Sequence, residues 1–347
     1  MGFDEISRRR ADLSRPAPIH RPATLQCNEL IEAVPNRNIL VVGDVMLDEY
    51  LWGSVHRMSP EAPVPIVAIE RQSYALGGAG NVAANLASLG SRVWLVGAAG
   101  IDLQAAQLAE LLTLTPNISP YLYPCQDRPT TIKTRIIAHG QQLLRADREE
   151  RHPISAGAEE HIISWIQEQL PSLHACVLSD YAKGMLTETL IHSVITLCQQ
   201  ANVPVIVDPK GHRYSRYQGA TIVTPNLAEA HLAVEMEEEQ LTLEEVADRL
   251  LGEIRAGALL ITQGPKGMSL FRPDNRALHI PAEARIIYDV TGAGDTVVAV
   301  LALLLAIDMD METAARLANY AAGIVVGKVG TASVSLEELC TGLGRLK

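Results

Sequence analysis

Ile286-Ile287-Tyr288-Asp289-Val290-Thr291-Gly292-Ala293-Gly294-Asp295-Thr296 runs from a strand-like apolar triplet through a glycine elbow to an acid, and an apolar, helix-forming stretch follows over 297–307. A tight turn that opens a helix aims backbone N–H groups at one anion. A carboxylate at the same spot can take a proton from an attacking hydroxyl. The two together point to phosphoryl transfer onto an alcohol, with Asp295 as base and Gly292, Ala293 and Gly294 as the anion-binding turn. An isolated GxGD is also an ordinary helix cap, so the reading depends on what surrounds it.

Outward from this stretch, short apolar runs alternate with helical ones. Strands are expected over 38–42, 92–96, 175–178, 203–207, 222–223 and 259–262, each ending in a polar or glycine-rich loop. Helical runs lie between them, so the pattern predicts an α/β fold with a mostly parallel sheet covered on both faces. Ligands in such sheets gather beyond the carboxyl ends of the strands, which brings Asp44, Asp180, Asp208, Asn226 and Gly264 to the side of Asp295. Two extended segments, about 51–75 and 130–145, interrupt the alternation and are assigned together to a small β lid over the site. Residues 1–36, rich in Arg and Pro and without clean periodicity, are read as a flexible N-terminal extension, and 37–345 as one domain.

Bulk properties bound the function. The 347 residues carry a formal charge of -11, with 48% hydrophobic and 20% charged residues. That balance suits a globular protein and lacks the basic face a nonspecific nucleic-acid binder needs. No secretory signal or membrane span is legible, so no membrane partner is expected. The five cysteines are Cys27, Cys125, Cys176, Cys198 and Cys340. No two have metal-motif spacing, and an odd count suits reduced thiols and a cytoplasmic location.

Several further residues carry chemistry. Asn226 and Glu229 stand three apart at a helix start. They either hold metal-bound phosphates, largely through water, or close a capping box. Lys210 after Asp208-Pro209 offers a mobile charge near polyphosphate. Thr262, Gly264 and Gly267 suit a nucleotide bed that allows close backbone approach. Asp44 and Asp48 are candidate acceptors for polyol hydroxyls. Gly77, Gly78 and Asn81 open a helix and are assigned to the sugar side. No P-loop and no GxGxxG fingerprint is present, which argues against that type of NTPase and against a dinucleotide oxidoreductase.

Asp289-Val290-Thr291-Gly292-Ala293-Gly294-Asp295-Thr296, together with Gly77-Gly78 through Gly90, resembles the two signatures of the ribokinase-like sugar kinases. The resemblance implies a ribokinase-like three-layer sandwich, with ATP as donor and Mg²⁺ organised by Asn226 and Glu229. It makes Asp295 the base, puts Thr262, Gly264 and Gly267 in the ATP loop, and matches Asp289 and Thr291 to part of a K⁺ site. Closer still, Val41 to Asp48, Ser59 to Pro65, Leu178 to Gly184, Asp208 to Gly211 and Gly327 to Thr331 resemble the bacterial heptose-7-phosphate kinases.

Those kinases phosphorylate D-glycero-β-D-manno-heptose 7-phosphate at C1, giving the 1,7-bisphosphate on the route to ADP-heptose and lipopolysaccharide. The resemblance further implies a homodimer through the lid. Because the chain ends after the kinase-like part, the expectation is a separate adenylyltransferase in the same pathway. Asp44, Gly78, Asn81 and Asp180 are then candidates for the sugar hydroxyls. Lys133, Arg135 and Lys183 are candidates for the 7-phosphate, with Arg57 and Arg145 behind them. A ribokinase-like kinase for another sugar or a nucleoside is the nearest alternative, and a noncatalytic sugar-binding protein the next.

Overall fold

The first strand sets the architecture. In β1 (Asn38–Gly43) five successive residues are buried, which requires cover on both faces of the sheet. Ile39 and Val41 enter one apolar layer, Leu40 and Val42 the other. The computed structural model describes residues 27–235, 241–274, 277–283, 289–328 and 332–345. The expected strand residues 286–288 and the motif residues 329–331 lie outside the described residues.

In chain order, α1 (Cys27–Ala33) precedes β1, followed by β2 (Val45–Met58), β3 (Pro65–Gly78), α2 (Ala79–Ser88), β4 (Arg92–Gly100), α3 (Leu103–Leu114) and β5 (Ile118–Cys125). Next come β6 (Ile132–Ala138), β7 (Gln141–Arg148), α4 (Ala156–Gln169), β8 (Ala175–Ser179), α5 (Glu188–Gln200), β9 (Val205–Asp208) and β10 (Ile222–Val223). The chain continues with α6 (Leu227–Ala233), α7 (Leu243–Ile254), β11 (Ala258–Thr262), β12 (Met268–Phe271), β13 (Ala277–Ile280), α8 (Ala293–Ala306), α9 (Met311–Val325) and α10 (Leu336–Arg345).

The main sheet has the order β13-β12-β11-β10-β9-β8-β1-β4-β5. From β11 to β5 every pairing is parallel, and β12 and β13 add an antiparallel edge. One layer is built from residues of α1, α2, α3, α8, α9 and α10, the other from α4, α5, α6 and α7. Every residue of α8 from Asp295 to Ala306 is buried. A helix apolar all round belongs inside a domain, and here it delivers its N-terminus to the carboxyl ends of the strands. Among the described residues no helix is long and apolar enough to cross a membrane.

The two extended segments do form one small sheet, of order β3-β2-β6-β7. Its limits are wider than expected, because β2 and β3 start at the body: Val45 pairs with Gly78 at the root and Met58 with Pro65 at the tip. Burial fades along β2 from root to tip, and β7 is exposed throughout.

The N-terminal boundary needs correction. Residues 27–36 are docked: α1 and the turn after it put Leu30 and Val34 in the core, each 0% exposed. A seven-residue helix is too short to show amphipathic periodicity, and it holds only because tertiary packing covers it. Its first residue, Cys27, is disulfide-bonded to Cys340 of α10. The expectation of five reduced thiols therefore fails for this pair, whose 313-residue separation leaves no spacing signal. Cys125, Cys176 and Cys198 are free and buried.

Candidate active site

The glycine elbow is the N-terminus of α8. Gly292 caps it at φ 80°, a left-handed conformation that favours glycine. Asp289 Oδ1 accepts the Thr291 N–H at 2.9 Å, which tightens the turn before it. The Ala293 N–H turns back to the Val290 carbonyl at 3.3 Å, and the Thr296 N–H to that of Gly292 at 3.0 Å. Among the described residues, the N–H groups of Gly294 and Asp295 have no acceptor in the chain. They are the open donors of the first turn, whereas the Ala293 N–H is taken up within the turn itself. A Cβ built on Gly294 would meet nothing within 4 Å; the space above this residue is an open cradle.

The Asp295 side chain is 7% exposed and held at both oxygens. Oδ2 accepts from Asn81 Nδ2 at 2.5 Å and Oδ1 from the Tyr181 hydroxyl at 2.7 Å. Burial raises its pKa to about 6; the two hydrogen bonds oppose that rise and nearby Asp48 adds to it. A carboxylate must be ionised to accept a proton, so if Asp295 is the expected base, activity falls below this value. Expected, therefore, is a kcat/KM that rises with pH through about 6 and then levels, checked by a pH–rate profile. In Tyr181→Phe a donor that favours the ionised form is gone, and the ascending limb moves to higher pH.

This geometry changes two assignments. Asn81, expected to meet sugar hydroxyls, spends its amide on Asp295. Tyr181, not singled out from the sequence as a site residue, touches the base directly. It arrives through a loop that two predicted sugar ligands build. Asp44 Oδ2 accepts the N–H groups of Tyr181 and Lys183 at 2.8 and 3.1 Å, and Oδ1 that of Met185 at 3.1 Å. Burial, with Asp180 adding to it, raises the Asp44 pKa to about 6 against those bonds. Asp180 accepts from Ala182 N–H at 2.8 Å and from the Tyr217 hydroxyl at 2.7 Å. The Asp44 carboxylate thus faces backbone, whereas Asp180, though bonded to the loop and to Tyr217, also lines the cavity beside Asp295.

Gly77 and Gly78 likewise serve close packing. A Cβ on Gly77 would lie 2.8 Å from Met46 Cγ and 2.9 Å from Asp48 Oδ2. One on Gly78, at φ 55°, would strike the Asp44 carbonyl. Three of the basic candidates, Lys133, Arg135 and Lys183, are ion-paired. Arg135 binds Asp48 at 2.7 Å, Lys133 binds Asp147 at 3.0 Å and Glu149 at 3.3 Å, and Lys183 binds Glu149 at 2.7 Å.

The ends of β9, β10 and β11 line a cavity of about 210 Å³ with Asp180, Tyr181, Asp208, Lys210, Asn226, Glu229, Thr262, Asp295 and the elbow. Asn226 and Glu229 close the capping box that the sequence offered as one reading: Asn226 Oδ1 accepts the Glu229 N–H at 2.9 Å, and Glu229 Oε2 the Asn226 N–H at 3.0 Å. Glu229 Oε1 then holds Lys210 Nζ at 2.5 Å. Asp208, quoted from the sequence only as a strand end, lines the same cavity. Burial and the charges of Asp295, Glu229 and Asp180 raise its pKa well above the carboxylate range, against the pull of Lys210.

Acids outnumber cations here, so the cavity suits a cation-bearing ligand. Among the described residues no group of three or more His, Cys, Asp or Glu is arranged to hold a metal ion. Of the predicted ATP-loop residues, Thr262 lines the cavity. Gly264, at φ 56°, opens the turn between β11 and β12, and a Cβ there would meet nothing within 4 Å. Gly267, at φ 90°, lies so close to the Ile280 carbonyl that its role is to let two backbones pass.

Comparison with known proteins bears on this arrangement. A family model described as pfkB family carbohydrate kinase matches residues 36–339. The bifunctional protein HldE of Geobacter metallireducens is 46% identical over 308 residues, covering 88% of this chain and 63% of that protein. The bifunctional protein HldE of Proteus mirabilis is 46% identical over 302 residues, covering 87% and 63%. The chain thus spans about 63% of the length of these relatives.

Among solved structures, Escherichia coli phosphofructokinase-2 in complex with potassium superposes with a TM-score of 0.70 at 20% identity, over 89% of this chain and 99% of the other. Arabidopsis thaliana ribokinase complexed with ribose and ATP does so at 0.68 and 20%, over 88% and 98%. These likenesses bear out the ribokinase-like three-layer sandwich. With the family model spanning both the lid and the α8 elbow, the chain belongs to the pfkB family of carbohydrate kinases.

Proposed function

We propose that this chain transfers the γ-phosphoryl group of ATP to the C1 hydroxyl of D-glycero-β-D-manno-heptose 7-phosphate, giving the 1,7-bisphosphate and ADP. The observation that carries the reading is the buried Asp295 carboxylate at the first turn of α8, beside the open N–H groups and held by Asn81 and Tyr181. Asp295 would take the C1 proton as the sugar oxygen bonds to phosphorus and the bond to the β-phosphate oxygen breaks. The elbow N–H groups would meet the charge on the transferring group, and the lid would keep water out.

Mg²⁺, when bound, neutralises phosphate charge; Asn226 and Glu229, the pair expected to organise it, would do so largely through water, with Asp208 beside them. The acid-rich, cation-poor cavity fits such an ion. Asp289 and Thr291, joined in one turn, are our candidates for a K⁺ site.

The choice of a heptose phosphate rests on the motifs shared with heptose-7-phosphate kinases and is supported by the identity to the HldE proteins. The proposed use of ATP supports a cytoplasmic location. A homodimer through the lid is favoured by the apolar groups the small sheet exposes, among them Met58, Ile69 and Leu144. The test is a purified-protein assay with ATP and a panel of sugars and sugar phosphates, the product position read by NMR. Formation of the 1,7-bisphosphate is expected. Phosphorylation of unphosphorylated sugars alone would overturn the substrate.

A further inference from the structure

The loop that carries Tyr181 to Asp295 is fastened from two sides. Asp44 and Asp180 take its N–H groups at Tyr181, Ala182, Lys183 and Met185. Its carbonyl groups go elsewhere. That of Gly184 accepts the Ile154 N–H at 2.9 Å, and that of Lys183 accepts Arg128 Nη1 at 3.1 Å. Ala182, between Tyr181 and Lys183, stands at φ 54°. That left-handed conformation is strained for a residue with a Cβ and persists only where the surroundings over-determine it.

Arg128 lies between β5 and β6, at the root of the lid, and is 9% exposed. A guanidinium so buried is ordinarily matched by a carboxylate. Among the described residues Arg128 makes no ion pair, and its donors go to main-chain oxygens. Nη1 serves Lys183, and Nη2 serves the His152 carbonyl while lying 3.2 Å from His152 Nδ1. Its Nε is buried and unpaired. The two carbonyls belong to segments in close contact, since a Cβ on Gly184 would strike the His152 carbonyl. A buried cation without its acid costs stability, and what it secures here is the course of one loop.

We infer that Arg128 is a positioning residue for the transfer: by holding the Lys183 carbonyl it keeps the Tyr181 hydroxyl on Asp295. The inference deepens the proposed function and rests on its assignment of Asp295 as base. Arg128 itself acts at a distance, through Tyr181, which lines the cavity.

The test is a double-mutant cycle of Arg128→Met and Tyr181→Phe, run with the acceptor that the sugar panel identifies. Arg128→Met is expected to lower kcat about ten- to hundredfold, the effect of a group misplaced beside the reacting centre, with KM for ATP little changed. The ascending limb of kcat/KM should move to higher pH, as in Tyr181→Phe. Asp48 of β2, Asp208 of β9 and Tyr181 are the titratable groups whose charges bear on Asp295, and Arg128 bonds to none of them. A through-space effect of the lost charge would persist in the Tyr181→Phe background, whereas an effect carried by Tyr181 would not. The double variant should therefore be no worse than the more impaired single one. Arg128→Lys, which keeps the charge and can reach one carbonyl, should recover part of kcat.

Because Arg128→Met leaves two carbonyls without a donor and can weaken the fold, hydrogen exchange is followed as well. Amides 181–185 should exchange faster than in wild type, with those of β8 unchanged, and Arg128→Lys should show the same change in smaller measure. Wild-type exchange and a wild-type limb in Arg128→Met, or losses that multiply in the double variant, would overturn the inference. Should the panel yield no phosphorylated product while exchange at 181–185 still rises, the loop clamp stands and the kinase reading falls.

Discussion

Asp295→Asn is expected to lower kcat by about 10²- to 10⁴-fold, the range a positioned general base contributes. Asparagine keeps the volume and one acceptor oxygen in the space where Asp295 meets Asn81 and Tyr181. It cannot take the acceptor's proton. The first turn of α8 and its N–H groups stay in place, so nucleotide affinity should change little. Burial already disfavours the Asp295 charge, so its removal should leave the melting temperature unchanged or higher. Steady-state kinetics, ATP titration and a thermal melt on the one variant separate these effects. Turnover within a few-fold of wild type would remove Asp295 from the base position.

Gly294→Ala is expected to separate stability from activity. Gly294 sits in the first turn of α8, and a Cβ there meets nothing within 4 Å. Among the glycines with positive φ, Gly292 appears and Gly294 does not. Alanine in this helical position should therefore stabilise the fold by about 0.5–1 kcal/mol. The added methyl group, however, occupies the cradle where the elbow's open N–H groups would meet the transferring phosphoryl group. Loss of such contacts costs on the order of 10²-fold in kcat. A variant that melts higher and turns over slowly is the expected result. One that melts higher and keeps full turnover would place the phosphoryl group elsewhere.

The part of the site that was legible in the sequence is the part written contiguously. Asp289 through Thr296 carries its own turn, cap and acid, so chemistry and local conformation are read from the same eight residues. Asn226 and Glu229 are similar, because a capping box is a local pattern, and both of their readings point to one strand end. The contacts that complete the site are not local. Asn81 and Tyr181 lie 214 and 114 residues from Asp295. Asp44 illustrates the consequence. A carboxylate after the first strand can face a sugar or a backbone loop, and only the arrival of residues 181–185 beside it decides for the loop.

From the sequence by itself came the layered α/β plan, the small lid sheet and the glycine elbow that opens α8. Each of these follows from short-range regularities: apolar runs that must be covered on both faces, glycines that permit a turn, an acid next to free N–H groups. Only the tertiary structure decided which side chains hold Asp295, that Asp44 and Asp180 build a loop, that Cys27 meets Cys340, and which acids hold the lid lysines. Those outcomes depend on how elements far apart in the chain dock. Docking is set by the summed burial of whole faces, and no individual residue states it in advance.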